Sequence, residues 1–337
     1  MASRLYNDAE IAALYGYPLE SYDTQTEDGY TLTLHRIPHG RNNSPVDGTK
    51  RRPVVYFQHG FLGASDNWFL NLPHQNAPFI FADAGCDVFL GNVRGNVYSR
   101  HAHLTKKRRK YWDFTFDHHA RYDLPAIVDK ILSETGADKL SYVGHSQGTV
   151  IMFIRLAIDS NRRFSSKIRH HFALAPVGGA SDMVGVLGLP RIAAIWDTPL
   201  APQVVRTFKG FELFGKSTSA QLTDPLCTKG LFASFVGGDM QHEKGGLWKM
   251  NYYDGTGRQR YDLSRITVPT YLYYGDKDFL ATVKNVKTNL IAKIDPKYVK
   301  EAKLFEDWNH ADFIFGTEAA EKLYKPILKH ILDGDDD

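Results

Sequence analysis

The sequence predicts an α/β protein in which a mostly parallel sheet is covered by helices on both faces. From residue 54 onward, short apolar runs typical of buried strands alternate with amphipathic stretches of helical period. Parallel strands need long crossover connections, and strands buried on both faces are apolar throughout. The chain has 337 residues, of which 43% are hydrophobic, so it is long enough for one large α/β domain with a sizeable core.

The first half of the chain supplies three predicted strands and one helix. Residues 30–35 alternate in polarity, whereas residues 54–57 and 87–90 are short apolar runs. The polar, Gly- and Pro-containing segment 40–52 is predicted to be a surface loop. Residues 123–132 carry apolar side chains at helical spacing, which predicts an amphipathic helix.

The second half continues this alternation and then interrupts it. A strand at 140–143 and a helix at 149–158 are followed by three more predicted strands, at residues 172–175, 270–274 and 302–305. The glycine-rich stretch 177–266 breaks the pattern. We interpret it as a cap inserted into a core made of residues 1–176 and 267–337.

The composition argues against a nucleic-acid-binding protein and against a disulfide-rich one. With 41 Lys and Arg against 38 Asp and Glu, the net charge is +3, so no strong field indicates a nucleic-acid partner. The basic run 106–110 is interpreted as a solvated loop that could favour anionic lipid surfaces. Two cysteines, Cys86 and Cys227, are too few for a disulfide framework, and Cys86 is predicted to be buried.

The segment Gly144-His145-Ser146-Gln147-Gly148 matches G-x-S-x-G between a predicted strand and a predicted helix. A serine on such a sharp turn needs glycines two residues away on either side, because side chains there would collide with neighbouring backbone. Ser146 is therefore the predicted nucleophile. It would lie at the carboxyl end of the sheet, with a helix N-terminus behind it. His145 is interpreted as a packing or rim residue and not as a second base.

A serine hydroxyl needs an imidazole to take its proton, and the imidazole needs a carboxylate to orient it. In chains with this turn the order is serine, acid, histidine. His310 is the preferred base because it lies in a loop directly after the strand predicted at 302–305. Asp276 and Asp278 both follow the strand at 270–274, and spacing alone does not choose between them. One is expected to cap the turn and the other to face the histidine.

The oxyanion of an acyl-transfer intermediate needs preorganised N–H donors. The backbone N–H of Gln147 is placed by the turn itself. The second donor is predicted to be the N–H of Phe61, after the strand that ends near Gln58. Gly60 would permit the close backbone approach that this requires.

Several ordered motifs over nearly the whole chain resemble the acid lipases of the α/β-hydrolase superfamily, the group of gastric and lysosomal lipases. The motifs that carry the resemblance are Tyr17-Pro18-Leu19-Glu20, Gln58-His59-Gly60-Phe61-Leu62, Leu90-Gly91-Asn92-Val93-Arg94-Gly95-Asn96, Tyr122-Asp123-Leu124-Pro125-Ala126, the Ser146 segment, and Asn309-His310-Ala311-Asp312-Phe313. The resemblance implies an α/β-hydrolase fold with a shortened cap. It also implies that Asp278 is the acid, because the family pattern G-x-x-D-x-L-A overlays Gly275, Asp278, Leu280 and Ala281.

The resemblance implies hydrolysis of neutral lipid esters, triacylglycerols or sterol esters, without metal or cofactor. The expected partner is a lipid-droplet or membrane surface and not a nucleic acid, and the chain is expected to be a monomer or weak dimer. No leader is recognisable in residues 1–20, so the expected location is secreted or lysosomal if a leader has been removed, and otherwise cytoplasmic.

The chain departs from the family in its cap, which lacks the lid motif H-x-P-A-G-T-S and the usual cysteine partner of Cys227. A shorter lid predicts an open pocket, so a short-chain carboxylesterase or an acyltransferase is the alternative function. A non-catalytic lipid-binding relative is disfavoured because serine, acid and histidine are all present. An epoxide or haloalkane hydrolase would need an acid where Ser146 stands.

Overall fold

A computed structural model describes residues 8–42, 52–61, 63–179 and 261–334. Within these ranges, nine strands form one sheet. The strands are β1 (Glu20–Gln25), β2 (Tyr30–Ile37), β3 (Val54–Gln58), β4 (Asp87–Gly91), β5 (Ser99–His101), β6 (Leu140–His145), β7 (Ile168–Leu174), β8 (Thr270–Gly275) and β9 (Val299–Phe305).

The sheet is mostly parallel, as the sequence predicts. The spatial order is β1-β2-β4-β3-β6-β7-β8-β9, with β5 paired to β2. Every neighbouring pair from β4 to β9 is parallel, whereas β1, β2 and β5 add an antiparallel edge. All residues of β3, β4, β6 and β8 are buried, which explains why these strands read as near-continuous apolar runs.

Helices precede, connect and follow the strands. They are α1 (Asp8–Leu14), α2 (Ala77–Asp83), α3 (Phe116–His118), α4 (Leu124–Thr135), α5 (Gln147–Ala157), α6 (Val283–Asn285), α7 (Asp312–Phe315) and α8 (Lys325–Leu332). Helix α4 buries Leu124, Ile127, Val128 and Ile131 along one side, as its spacing predicts. It ends at Gly136, whose φ of 63° is the left-handed conformation that commonly terminates helices.

The carboxyl ends of the parallel strands bring distant residues to one edge of the sheet. Strands β6, β8 and β9 end at His145, Gly275 and Phe305, so Ser146, Asp278 and His310 all follow at that edge. Cys86 is fully buried, as predicted. No helix among the described residues is long and apolar enough to cross a bilayer.

The predicted cap falls almost entirely on residues 180–260, which lie outside the described ranges. Strands β7 and β8, on either side of it in sequence, are adjacent and parallel in the sheet. The division into a core and a cap at 177–266 stays a prediction, and Cys227 also lies outside the described ranges.

Candidate active site

Ser146 occupies a strained turn between β6 and α5. Its φ of 53° and ψ of −118° are unusual for a residue with a Cβ, and such strain is typical of a nucleophile elbow. Its backbone N–H donates to the carbonyl of Leu174 at 3.0 Å, and its own carbonyl accepts from the Thr149 N–H at 2.9 Å. These bonds join the turn to β7 and to α5. The predicted sharp turn is therefore confirmed.

The two glycines of the motif are required by close backbone contacts. A Cβ at Gly148 would lie 2.7 Å from the carbonyl oxygen of Gln58, and one at Gly144 would lie 2.9 Å from the carbonyl carbon of Gly148. Both distances are below 3.0 Å, which is a steric clash, and the contacted backbone atoms cannot easily move away. The motif therefore allows β6, α5 and the end of β3 to meet at the elbow.

Hydrogen bonds to both carboxylate oxygens orient the Asp278 side chain. Oδ1 accepts from the backbone N–H groups of Leu280 at 2.9 Å and Ala281 at 2.8 Å, and Oδ2 accepts from Nδ1 of His310 at 2.8 Å. The carboxylate is buried, and its contact fixes the His310 tautomer with the proton on Nδ1. Asp276 instead accepts from the Asp307 N–H at 2.6 Å, so it caps the neighbouring loop. The two carboxylates divide the roles that spacing left open.

The loop that carries His310 is held by its own polar residues. Asp312 accepts from the backbone N–H and from the side-chain amide of Asn309, and Asn309 Oδ1 accepts from the Ala311 N–H at 2.9 Å. The Lys277 N–H donates to the Trp308 carbonyl at 3.0 Å, which ties this loop to the loop of Asp278.

Contacts through His145 link Ser146 to His310. His145 precedes Ser146, and its Nε2 lies 2.9 Å from the His310 carbonyl oxygen. Within the described ranges, neither Ser146 Oγ nor His310 Nε2 has a hydrogen-bond partner. His145 is 3% exposed, so it is a buried packing residue and the rim alternative is wrong.

The predicted oxyanion donors lie on the two chain segments that border Ser146. Gln147 begins α5, and Phe61 follows Gly60, where an added Cβ would lie 3.0 Å from Ser146 Cβ. Among the described residues, the backbone N–H groups of Phe61 and Gln147 make no hydrogen bond, so both are available to an oxyanion. Leu62 lies outside the described ranges.

A buried polar network behind the Phe61 loop was not anticipated from the sequence. His59 Nδ1 donates to the Gly60 carbonyl at 2.7 Å, and its Nε2 faces the Asn96 amide at 3.4 Å. Asn96 donates to Asn92 Oδ1 at 2.8 Å, which also accepts from the Ser65 N–H at 2.9 Å. Burial lowers the pKa of His59 to about 4, which keeps it neutral. Asn92 and Asn96 belong to a motif of the resemblance, which was the available signal.

No group of three or more potential metal ligands occurs among the described residues. His101 and His103, and likewise His118 and His119, are close together in the sequence, and one ring of each pair accepts a local hydrogen bond. His101 Nδ1 accepts from the backbone N–H of His103 at 3.0 Å, and His118 Nδ1 accepts from that of Thr115 at 3.1 Å. These two rings therefore cap local turns.

Comparison with known proteins identifies the family. Residues 53–317 match the family described as "alpha/beta hydrolase fold", and residues 9–72 match the "Partial alpha/beta-hydrolase lipase region". Among solved structures, a putative aryl esterase from Burkholderia cenocepacia superposes with a TM-score of 0.65 at 19% identity, covering 93% of this chain and 98% of that one. Epoxide hydrolase VrEH1 from Vigna radiata gives 0.61 at 16%, covering 94% and 98%. These similarities show the fold alone.

Curated relatives narrow the family. The chain is 35% identical to lipase lipl-3 of Caenorhabditis elegans, covering 95% of this chain and 90% of that protein. It is 36% identical to mouse lipase member K and 34% identical to mouse gastric triacylglycerol lipase, each over 96% of this chain and 90% of the relative. The chain therefore belongs to the gastric- and lysosomal-type lipase family of the α/β-hydrolase fold.

Proposed function

We propose that this protein is a serine carboxylic ester hydrolase that acts on neutral lipid esters, triacylglycerols or sterol esters, through an acyl-enzyme on Ser146. The proposal rests on the Asp278–His310 hydrogen bond, at the sheet edge where Ser146 occupies its strained turn. The lipase relatives, one of them named a triacylglycerol lipase, support the same substrate class.

In the first half-reaction, Ser146 Oγ attacks the ester carbonyl carbon and its proton passes to His310 Nε2. The Oγ–Nε2 hydrogen bond forms when substrate fills the crevice, since catalytic hydrogen bonds often tighten only in the Michaelis complex. Asp278 stabilises the resulting imidazolium through Nδ1–H. The N–H groups of Phe61 and Gln147 donate to the oxyanion. Collapse of the intermediate breaks the bond to the alcohol, which leaves with the proton from His310.

In the second half-reaction, water replaces the alcohol. His310 takes a proton from water as its oxygen attacks the acyl-enzyme carbonyl, and the same two N–H groups stabilise the new oxyanion. The proton then returns to Ser146 Oγ as the fatty acid leaves. No oxidant, reductant or other co-reactant is needed for either half-reaction.

The experiment that tests this mechanism combines a fluorophosphonate probe with hydrolysis of emulsified triacylglycerol. The wild-type protein should be labelled on Ser146 and should release fatty acid. Ser146→Ala should show neither reaction while keeping its unfolding temperature. Residual hydrolysis in Ser146→Ala above about one part in 10³ of wild type would remove the serine from its role.

Substrate class is tested by a panel of esters that varies acyl length and includes alcohol acceptors. Faster turnover of triolein or cholesteryl oleate than of butyrate esters supports a lipase. Preference for soluble butyrate esters identifies a short-chain carboxylesterase, and ester products formed from added alcohol identify an acyltransferase. We expect little jump in rate as substrate passes its solubility limit, because the sequence between β7 and β8 lacks the family's lid motif.

The proposed partner is a lipid surface that meets the carboxyl edge of the sheet. Val97, at that edge, is 54% exposed. The neighbouring Asn96 carbonyl accepts from Lys106 Nζ at 2.6 Å, which holds the basic loop 106–110 beside the His59 network. Lys107 and Arg108 are exposed in this loop. Their charges would attract an anionic surface, and added salt would screen the attraction.

Adsorption to vesicles of phosphatidylglycerol and phosphatidylcholine tests this orientation. Lys107→Glu/Arg108→Glu should weaken adsorption, most strongly at low salt, and leave hydrolysis of a soluble ester unchanged. The matched control is Lys139→Glu/Arg169→Glu, because these exposed cations lie at the amino ends of β6 and β7, on the opposite edge. Equal effects of the two pairs would contradict the proposed orientation.

The proposed compartment is the secretory route or the lysosome, which the gastric name of one relative supports. Asn42 is exposed and begins the sequon Asn-Asn-Ser. In cells, a mobility shift removed by a glycosidase and by Asn42→Gln would support entry into the secretory pathway. Absence of glycan on the native protein, with recovery in the cytosol, would support the alternative.

A further inference from the structure

His145 contacts both loops of the candidate site, and the proposed mechanism gives it no role. Its ring lies between the two loops that the proposed mechanism uses. On one side, Nε2 is 2.9 Å from the backbone carbonyl oxygen of His310, and the two rings are 4.9 Å apart between centroids. On the other side, a Cβ at Gly60 would lie 3.1 Å from His145 Nδ1. The next residue in the chain is Ser146.

The hydrogen-bond partner fixes the chemical form of this ring. A carbonyl oxygen only accepts, so Nε2 carries the proton and donates to His310. His145 is 3% exposed, and its burial, followed by the nearby His310 imidazole, lowers its pKa to about 3, although its hydrogen bond to the His310 carbonyl and the charge of Asp278 act in the opposite direction. The ring is therefore neutral above about pH 3. It does not add a positive charge beside the imidazolium that forms on His310.

We propose that His145 is a positioning residue that sets the distance between the nucleophile turn and the loop of His310 by donating its Nε2–H to the His310 carbonyl. This inference rests on the proposed ester hydrolysis at Ser146. The bond joins the end of β6 to the loop after β9, and β7 and β8 lie between these strands in the sheet. The hydrogen-bonded ladder alone therefore does not fix the position of His310 relative to Ser146.

Loss of this donor would have a specific consequence. The His310 carbonyl would be left buried without this partner, and its loop could relax away from β6. A shift of about 1 Å between base and nucleophile can cost about 10²-fold in rate, whereas ester binding in the crevice depends on other contacts. The expected signature is a fall in kcat with little change in KM.

The test uses three substitutions that differ in where they place a donor. His145→Gln keeps a donor, because the glutamine amide nitrogen reaches the position of Nε2. His145→Asn places its amide near Nδ1, and His145→Leu has no donor. We expect His145→Gln to keep kcat within about 3-fold of wild type. Both other variants should lose about 10- to 100-fold in kcat with KM changed less than about 3-fold.

Two further readouts separate positioning from general stability. The rate of fluorophosphonate labelling of Ser146 should follow kcat across the series, while unfolding temperatures of the Gln and Asn variants stay similar. The low-field proton resonance of the His310 Nδ1–H···Asp278 bond should be retained in His145→Gln and shifted or broadened in His145→Leu.

The outcomes distinguish this inference from the proposed function. If wild type neither hydrolyses esters nor reacts with the probe, the proposed function fails. If wild type is active and all three variants match it, His145 has no positioning role. Equal losses in the Gln and Asn variants would also overturn the inference. So would a displaced acid limb of kcat/KM in His145→Gln, because this would assign the ring a titrating role.

Discussion

Asp276 and Asp278 are only two residues apart, but their carboxylates have different hydrogen-bond partners. Asp278 binds two backbone N–H groups with one oxygen and the His310 imidazole with the other. Asp276 binds the Asp307 N–H and the Lys277 ammonium and is exposed. One carboxylate is therefore aimed at the imidazole and the other stabilises a surface turn.

Asp278→Asn should lower kcat by about 10³- to 10⁴-fold, because an amide neither stabilises the imidazolium nor holds the same tautomer. Asp276→Asn is the matched control and should keep kcat within about 3-fold, since its Oδ1 can still accept from Asp307. Steady-state hydrolysis of a soluble ester checks both variants. A comparable loss in the two would reverse the assignment of roles.

His171 presents the opposite case, a buried titratable group whose ring nitrogens are not hydrogen-bonded. Both nitrogens lack a hydrogen bond among the described residues, and the ring packs against Tyr142 and Phe153. Burial lowers its pKa to about 3 from an ordinary value of 6.5. The unfolded chain therefore binds a proton below pH 6.5 that the folded protein does not, and stability falls as pH drops from 6.5 towards 3.

His171→Phe should stabilise the fold by about 1–3 kcal/mol at pH 7, because it removes unsatisfied polar atoms from an aromatic cluster. The advantage should grow as pH falls below about 6.5, since the variant no longer has this proton to bind on unfolding. Urea unfolding at pH 7 and pH 5 measures both effects. The exposed His103→Phe serves as control, and equal pH slopes in wild type and His171→Phe would contradict the argument.

At the scale of elements, the turn between β6 and α5 forms only because glycine leaves room for the neighbouring backbone at Gly148. Gly148, in the first turn of α5, lies against the carbonyl oxygens of Gln58 and His59, where an added Cβ would lie 2.7 and 2.9 Å away. These oxygens belong to the end of β3 and to the loop that precedes Phe61. Enlarging Gly148 would therefore push Ser146, the proposed nucleophile, away from Phe61, the proposed oxyanion donor.

Gly148→Ala should lower kcat/KM by at least about 10²-fold and destabilise the fold by about 1–3 kcal/mol. Gly85→Ala is the control, because a Cβ there meets no atom within 4 Å and φ is +97°. It should cost about 1 kcal/mol of backbone strain and leave kcat/KM unchanged. Kinetics and chemical unfolding on the same preparations separate the two effects.

The sequence predicts the interior of the sheet better than its edge. Apolar runs identify β3, β4, β6 and β8 because these strands are buried on both faces. The antiparallel strand β1 is polar and alternates between half-buried and exposed residues, and β5 has three residues, so neither carries an apolar pattern. Their positions are set by pairing with β2, which is tertiary information.

The candidate site divides in the same way. Motif and chain order predict Ser146 and His310, but spacing could not separate Asp276 from Asp278, and only the resemblance favoured Asp278. The bond from His145 to the His310 carbonyl joins residues 165 positions apart, and only the folded sheet brings them together. The network through Asn92 and Asn96 likewise depends on contacts between loops.

At the scale of the whole molecule, Arg94 joins three separate parts of the chain. Its guanidinium binds Asp28 in the turn between β1 and β2 at 2.6 Å and Asp123 at the start of α4 at 2.7 Å. The arginine side chain is 1% exposed and stacks 4.1 Å above the ring of Tyr30. Two motifs of the resemblance, around Arg94 and around Asp123, thus meet in one buried ion pair.

Arg94→Met should destabilise the protein by about 3–5 kcal/mol, because it leaves the buried Asp123 without its cation. The matched control is Arg100→Met. Arg100 also binds an aspartate at 2.7 Å, Asp23, but its side chain is 62% exposed, so less than about 1 kcal/mol should be lost. Chemical denaturation at pH 7 compares them. Similar losses would show that burial does not set the strength of these pairs.

The segment between β7 and β8 is joined to the sheet at two neighbouring strands. The chain leaves the sheet after Leu174 and returns at Thr270 on the neighbouring parallel strand, and four residue pairs hold these strands in register. Ser146 follows β6, and Asp278 and His310 follow β8 and β9. Replacing this segment by one of another length would leave all three attachment points unchanged. We therefore expect that a graft of a different segment at these two junctions would leave Ser146, Asp278 and His310 in place, which retained labelling of Ser146 by a fluorophosphonate probe would check.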